Sequence, residues 1–411
     1  MFQLSEESIA GQRQTGKPGG SAHARRADER VTIARTSEAV EALRDVWIEL
    51  AVTDIDSDID YFLTVVRGAD QVIRPHVIHL QSEDGRDLIA VARLENLPLP
   101  FRLGYTVVAT VTLRAIVVTF GGVLGAEGRE DEERVMGCLR RSLREGEADV
   151  LLMRNVASTS TLAEAAASSA SRLCRTQGLP TTPRWIAAIP DTLDGFLQVR
   201  SLKTRQRFRR EHRVLQEKFG EGLSLRRFHQ AGELDLLCKD METVAASTYQ
   251  RGLGVGFAGT PMERALIALG LRRGWYSAWV LYLNGSPVAF WMGFAYRDTF
   301  TVVTPGFNPA YAKLSVGNYT MLRMVEDLCA DGQIRFLDFG HGDADYKAAF
   351  GRAARVEGDI LLAAPRLWPV LVVTALSALA VINNLGRSLV ARSPWVRRLK
   401  TNWRRRMART V

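Results

Sequence analysis

The sequence predicts a mixed α/β protein of two similar halves followed by a basic helical tail, and three observations carry that prediction. Extended apolar runs come first, within residues 77–120, and helical stripes alternate with strands after them. Beyond a basic segment, residues 199–219, the same order of elements begins again. Within the second half, Asn284-Gly285 separates two long apolar runs and so specifies a tight hairpin. Composition agrees: 46% hydrophobic and 24% charged residues over 411 positions exclude a disordered or collagen-like chain and suit two or three domains.

In chain order, residues 1–31 are rich in Gly, Ser and Arg and lack an apolar stretch of secretory length, so they read as a disordered leader. The first domain is expected over 32–197. Val40, Leu43, Trp47 and Leu50 form one helical stripe after Ser37, which with Glu38 and Glu41 suits a helix start. A short helix at 61–66 follows, then strands at 77–80, 88–94 and 105–120, with Glu83-Asp84-Gly85 as a turn. A helix at 131–144, a strand at 150–153, a helix at 161–175 and a strand at 185–189 complete this half. Residues 199–219 carry Arg200, Lys203, Arg205, Arg207, Arg209, Arg210 and Arg213. They form either a solvated connecting helix or one wall of a groove for an anionic substrate.

The second domain is expected over 198–356. Helices at 234–249 and 261–272 precede strands at 276–283 and 288–296, then a third strand, 299–304, stopped by Pro305-Gly306. Met321, Leu322, Val325, Leu328 and Cys329 share one helix face, and Gly332 closes that helix. An apolar strand at 334–339 comes next. A strand, a glycine-ended loop, a helix and a parallel strand make a crossover that sets the helix N-terminus beside the C-terminal edge of the third strand. Free amides and the helix dipole favour a phosphate at that point.

Here the residues resemble a family. The order of helices, meander, loop, helix and strand looks like the GNAT acetyltransferase fold. Residues 307–347, FNPAYAKLSVGNYTMLRMVEDLCADGQIRFLDFGHGDADYK, are similar to the closing segment of CelD-like acetyltransferases, proteins linked to cellulose and exopolysaccharide synthesis. The resemblance is strongest over about 201–351 and holds in pattern over 38–189. It implies two GNAT-like (acyl-CoA N-acyltransferase) domains in tandem with mixed sheets, an arrangement shared with the FemABX aminoacyl transferases. GNAT enzymes usually cradle the pyrophosphate with a loop R/Q-x-x-G-x-G/A. In this sequence Ala312 and Ser315 take the first two key positions and only Gly317 fits, with Lys313 nearby as a cation. The resemblance thus implies acetyl-CoA as the donor, held at Lys313, Gly317 and Asn318. The thioester carbonyl would rest on backbone amides of Val302, Val303 and Thr304, the valine side chains being core.

Acetyl transfer to an amine needs a base, a donor for the carbonyl oxygen and an acid for the departing thiolate. Tyr346 follows the last strand where GNAT enzymes often place a tyrosine that protonates the sulfur; the alternative is a ring that only packs. Asp338 alternates with Ile334 and Phe336, a carboxylate among apolar neighbours, and is either a base or an ion-pair partner of Lys347 or Arg335. His341, between two glycines, is a second base candidate or an exposed loop residue. Lys347 is a phosphate or carboxylate contact, or a surface lysine. No Ser-His-Asp order, HExxH or GxxxxGK[ST] motif occurs, and Cys138, Cys174, Cys238 and Cys329 lack paired spacing. No metal is therefore expected, and a reducing cytoplasm is the simplest compartment.

The tail is expected over 357–411. Residues 1–359 carry 44 basic and 45 acidic groups, whereas ten cations and no acid follow Asp359, so the net charge of +9 belongs to the tail. Residues 367–386 are uncharged and reach the length of a membrane span, although Pro369, Asn383 and Asn384 weaken it. A crossing would also set the body on the side away from acetyl-CoA. Trp395, Leu399, Trp403 and Met407 recur among Arg397, Arg398, Lys400, Arg404, Arg405 and Arg406, the pattern of a basic helix on an anionic membrane surface, so residues 387–411 suit such contact. Packing of the apolar helix on the body is the alternative, and nucleic acid ranks last. The whole reads as a cytoplasmic N-acetyltransferase, peripheral at the inner membrane face, acting on an amine of a sugar or polysaccharide precursor. The rivals are a FemABX-type transferase using aminoacyl-tRNA and a degenerate module that scaffolds a membrane complex.

Overall fold

The computed structural model describes residues 30–81, 85–104, 106–248, 256–342 and 344–392. The first half contains β1 (Arg30–Ala34), α1 (Ser37–Glu41), α2 (Arg44–Glu49), α3 (Ile59–Gly68), β2 (Val72–Pro75), β3 (Val77–Gln81), β4 (Asp87–Leu103), β5 (Thr106–Leu124), α4 (Arg129–Arg144), β6 (Val150–Ala157), α5 (Thr161–Ser169) and β7 (Thr181–Ala188). Short α6 (Leu193–Gln198) and basic α7 (Leu202–Phe219) lead to the second half. This comprises β8 (Leu223–Phe228), α8 (Leu234–Ala246), α9 (Pro261–Arg273), β9 (Tyr276–Leu283), β10 (Ser286–Tyr296), β11 (Thr299–Val302), β12 (Gly306–Phe307), α10 (Val316–Asp331), β13 (Phe336–His341), α11 (Asp345–Phe350) and β14 (Arg352–Ala363). A last helix, α12, spans Leu367–Arg392.

Local chemistry explains most boundaries. Thr36 caps α1 by accepting from the Ala39 amide, one residue before the expected start at Ser37. Thr260 and Glu263 form a reciprocal capping box around Pro261, and left-handed Gly274 ends α9. Asn284 and Gly285 both have positive φ, as the two-residue hairpin between β9 and β10 requires. Gly332 closes α10 in the left-handed region. The expected stripe of α10 is buried against Trp279, Phe300 and Leu337, and Val135, Met136, Leu139 and Leu143 of α4 pack likewise on Ile116, Val118 and Leu151.

All the strands join one sheet, whose main path is β1-β3-β4-β5-β6-β14-β7-β13-β11-β10-β9-β8. The order is quasi-symmetric. β5 and β6 run parallel in the first half and β11 and β13 in the second, and the remaining neighbours are antiparallel. The centre is an exchange: β14, the last strand among the described residues, pairs with β6 of the first half, while β7 of the first half pairs with β13 of the second. β7 and β14 pair with each other from Ile186↔Arg352 to Thr181↔Gly358.

Several elements differ from the sequence-based expectation. Residues 30 and 31, placed in the leader, belong to β1, which pairs with β3. β4 and β5 extend far beyond 88–94 and 105–120 into a long hairpin arm. The helix expected at 161–175 stops at Ser169. β14 is an element the sequence reading lacks, and the expected boundary between 356 and 357 falls inside it. The leader to residue 29, the turn residues Glu83 and Asp84, and the basic repeat after Arg392 lie outside the described residues.

Candidate active site at the parting of two parallel strands

β11 and β13 pair only through Thr299↔Phe336, Phe300↔Leu337 and Thr301↔Asp338. Beyond that point they part. The Val303 amide turns to the Met292 carbonyl at 3.1 Å, and β12 pairs with β10. β13 meanwhile continues along β7 through Gly340↔Trp185 and His341↔Arg184. A cavity of about 850 Å³ opens there, lined by Arg207, Trp291, Gly306, Phe307, Gly317, Asn318 and Tyr346 among others.

Helix α10 begins at this cavity. Ser315 holds the left-handed conformation that starts it, and its side chain makes no capping bond. The amides of Val316, Gly317 and Asn318 donate to no described residue, as the first turn of a helix leaves them. Trp291 Nε1 donates to the Gly317 carbonyl at 2.9 Å, fixing the indole under that turn. The Tyr346 ring stands edge-on to Trp291 at 5.4 Å and to Phe339 at 6.0 Å. An aromatic floor and an uncharged ring of open amides thus face one another. Such a cavity suits a ligand with a phosphate at one end and an apolar portion at the other.

Not every expected residue reaches it. The Val303 amide is used by the sheet, and its side chain is 52% exposed instead of core. Strand alternation directs the Val302 amide the other way, towards the parting strands, while its side chain is buried; Thr304 lies beyond the end of β11. Lys313 is exposed on a short 3₁₀ turn and does not line the cavity. Arg207 of α7 supplies the cation instead. Its signal was present in the basic run, but the run alone does not say which of seven cations faces inward.

Asp338 is 2% exposed and neither Lys347 nor Arg335 is its partner. Arg184 of β7 donates to it from Nε at 2.6 Å and through Nη2, and the Gly340 amide donates at 2.7 Å. This is a buried ion pair joining the halves, and its lone pairs are committed. Burial opposes the charge of Arg184, but Asp338, Glu357 and Asp54 hold its pKa above the usual value. Lys347 Nζ donates to the His341 carbonyl, and burial lowers its pKa.

His341 ends β13 rather than sitting in a free loop. Its Nδ1 lies 2.9 Å from Oε2 of buried Glu357, off hydrogen-bond angle, and its ring meets Phe120 edge-on at 6.4 Å. Glu357 comes from β14, the strand absent from the sequence reading. Burial alone would raise its pKa, yet contacts with His341, Arg355 and Arg184 hold it below the normal value.

The first half has a corresponding parting of β5 and β6 after Val118↔Met153, with a smaller cavity of about 230 Å³ that includes Asp54, Phe120, Asn155 and Glu357. Its helix α4 starts with Glu130, Asp131 and Glu132. The Asp131 carboxylate takes the Glu127 amide at 3.0 Å, so acids already occupy this helix start. Among the described residues no group of three His, Cys, Asp or Glu side chains could hold a metal ion.

With this geometry in view, comparison with known proteins is decisive for the second half. Residues 202–348 match the family described as acetyltransferase (GNAT) domain. The chain carries a GNAT acetyltransferase domain. That domain runs from the start of α7 into α11 and contains the parting of β11 and β13, the open turn of α10 and Tyr346. The chain is an enzyme of the GNAT acyltransferase superfamily. Its fold is similar to that of FemX, at 10% identity and a TM-score of 0.53 over 81% of this chain and 97% of that one. A tandem GNAT protein from the clavulanic acid biosynthesis pathway matches at 10% identity and a TM-score of 0.48, covering 82% of this chain and all of that one. No curated protein matches the sequence.

Proposed function

We propose that the enzyme transfers an acetyl group from acetyl-CoA to an amine, with the donor held only by the second half. The observation that carries this reading is the pair of open amides at Gly317 and Asn318, residues that line the cavity where β11 and β13 part. Those amides and Arg207 would bind the pyrophosphate, and the amides of Val302 and Thr304 would hold the thioester carbonyl. Tyr346, packed between Trp291 and Phe339, would give its hydroxyl proton to the departing thiolate. Of the two base candidates, His341 is the better supported. Buried, ionised Glu357 beside it would stabilise the imidazolium formed on proton uptake, whereas Asp338 is committed to Arg184. The three acids opening α4 argue against a second donor site in the first half.

The acceptor follows from the resemblance of residues 307–347 to CelD-like proteins: an amine on a sugar or polysaccharide precursor. A second reading, a transferase using aminoacyl-tRNA, is favoured by the FemX-like fold and by the arginines of α7. Calorimetry with acetyl-CoA, followed by thiol-release assays against amino-sugar nucleotides, tests the first reading. Absence of acetyl-CoA binding together with aminoacyl-tRNA binding would replace it with the second.

A further inference from the structure

Helix α12 is built inside out. At about 100° per residue, Leu367, Trp368, Leu371, Val381, Ile382 and Leu385 fall within one arc, and all of them are exposed, Trp368 by 58% and Ile382 by 52%. Exposed Thr374 falls in the same arc, but the polar groups Ser377, Asn383 and Asn384 lie outside it and are spent on the body. Ser377 Oγ accepts from the Gln177 amide at 3.0 Å. Asn383 donates to the Arg102 carbonyl at 2.7 Å and accepts from the Gly104 amide at 2.9 Å, and Asn384 donates to the Gly178 carbonyl at 3.0 Å. Val372 and Val373 complete this buried face against Leu361 and Ala363 of β14. A helix on a water-facing surface has the reverse arrangement.

The tip of the β4–β5 arm adds to the same surface. Asn383 ties α12 to residues 102 and 104, beside which Leu103, Val107 and Val108 are exposed by 54%, 44% and 59%. Apolar exposure on two such adjoining elements marks a contact site. The charge of the sequence that follows α12 indicates what is contacted: seven cations and no acid come after Arg392. A second copy of the chain would bring two such cationic segments together, whereas an anionic bilayer attracts them.

We propose that α12 and the β4–β5 tip lie flat in the interface of an anionic lipid bilayer, as a one-sided anchor. The hydrogen bonds from Ser377, Asn383 and Asn384 hold the helix to the body, so it rests in the interface plane and does not cross. This inference is independent of the acetyl-transfer reading, because no residue of the cavity takes part.

The test is flotation of the full chain with phosphatidylcholine vesicles, with and without phosphatidylglycerol. The expected result is flotation that requires phosphatidylglycerol and falls at least tenfold in Leu371→Asp/Ile382→Asp and, separately, in Val107→Asp/Val108→Asp. All four positions except Val107, which is 44% exposed, are more than half exposed, so folding is kept. Unchanged flotation of both variants would overturn the proposal. A wild-type dimer in sedimentation, dissociated by the same substitutions without any vesicle binding, would also overturn it and assign the face to a second copy.

Discussion

Substitution of Gly317 by tryptophan separates donor binding from folding. A Cβ at Gly317 would meet Phe307 Cδ1 at 3.4 Å, an ordinary contact, and the residue has no positive φ to be strained. Replacing glycine inside a helix also recovers up to about 1 kcal/mol of backbone entropy. The fold should therefore hold within about 1 kcal/mol. The indole, however, would extend into the 850 Å³ cavity that Gly317 lines. There it would screen the amides of Gly317 and Asn318 from the pyrophosphate. Each lost charge-assisted hydrogen bond costs about 1.5–3 kcal/mol. Two of them amount to about 3 kcal/mol at the least, a loss of at least about a hundredfold in affinity. Calorimetric titration with acetyl-CoA reads the affinity, and a thermal melt reads the fold. A Kd within about threefold of wild type in a variant that melts normally would refute the reasoning, because the donor could then not lie across this helix start.

Three further outcomes are expected. Tyr346→Phe should lower kcat by about 10²-fold or more while acetyl-CoA affinity holds; equal kcat in stopped-flow thiol release would leave the ring a packing role only. Arg184→Met should cost about 3–5 kcal/mol in urea unfolding, since it strands the buried Asp338 carboxylate while Glu357 keeps Arg355, and adding Asp338→Leu should restore much of it. His76 is fully buried and bonded to Ser142 Oγ at 3.0 Å; burial, aided by Arg74, pushes its pKa down to about 4 from 6.5, against the opposing pull of Glu147. The folded ring stays neutral while the unfolded one takes a proton, so stability should be full above pH 6.5 and fall by up to about 3 kcal/mol towards pH 4. His76→Gln should flatten that part of the urea-midpoint profile, and an unchanged slope would remove the assignment.

What could be read in the sequence was what depends on neighbours along the chain. The Asn284-Gly285 turn, the stripe from Met321 to Cys329 and the Gly332 cap are all local devices, and each is found in the structure. The parallel neighbours β11 and β13 followed from the handedness of a single crossover. β14 was not legible. Residues 352–358 read RAARVEG, without alternation: they pair along β7, only Glu357 and Gly358 also meet β6, and Arg355 and Glu357 are committed to each other as an ion pair. The partners of Asp338 and His341 were hidden for the same reason, since Arg184 and Glu357 come from strands that arrive out of chain order. Arg207 was visible as charge but not as direction.

The exchange of β7 and β14 also limits how reactants get in. In two-lobed enzymes joined by a linker, a swing about a hinge can admit a bulky molecule. Here the lobes share a ladder of strand pairing from Ile186↔Arg352 to Thr181↔Gly358, with one bulge between Ala353 and Arg355, so swinging them apart would mean unzipping the sheet. Entry and exit must be managed by small parts at the rim, such as the segment around Pro305 or the helix start at Ser315. A chain cut at the expected border between 197 and 198 would leave each lobe missing the strand that the other lends it.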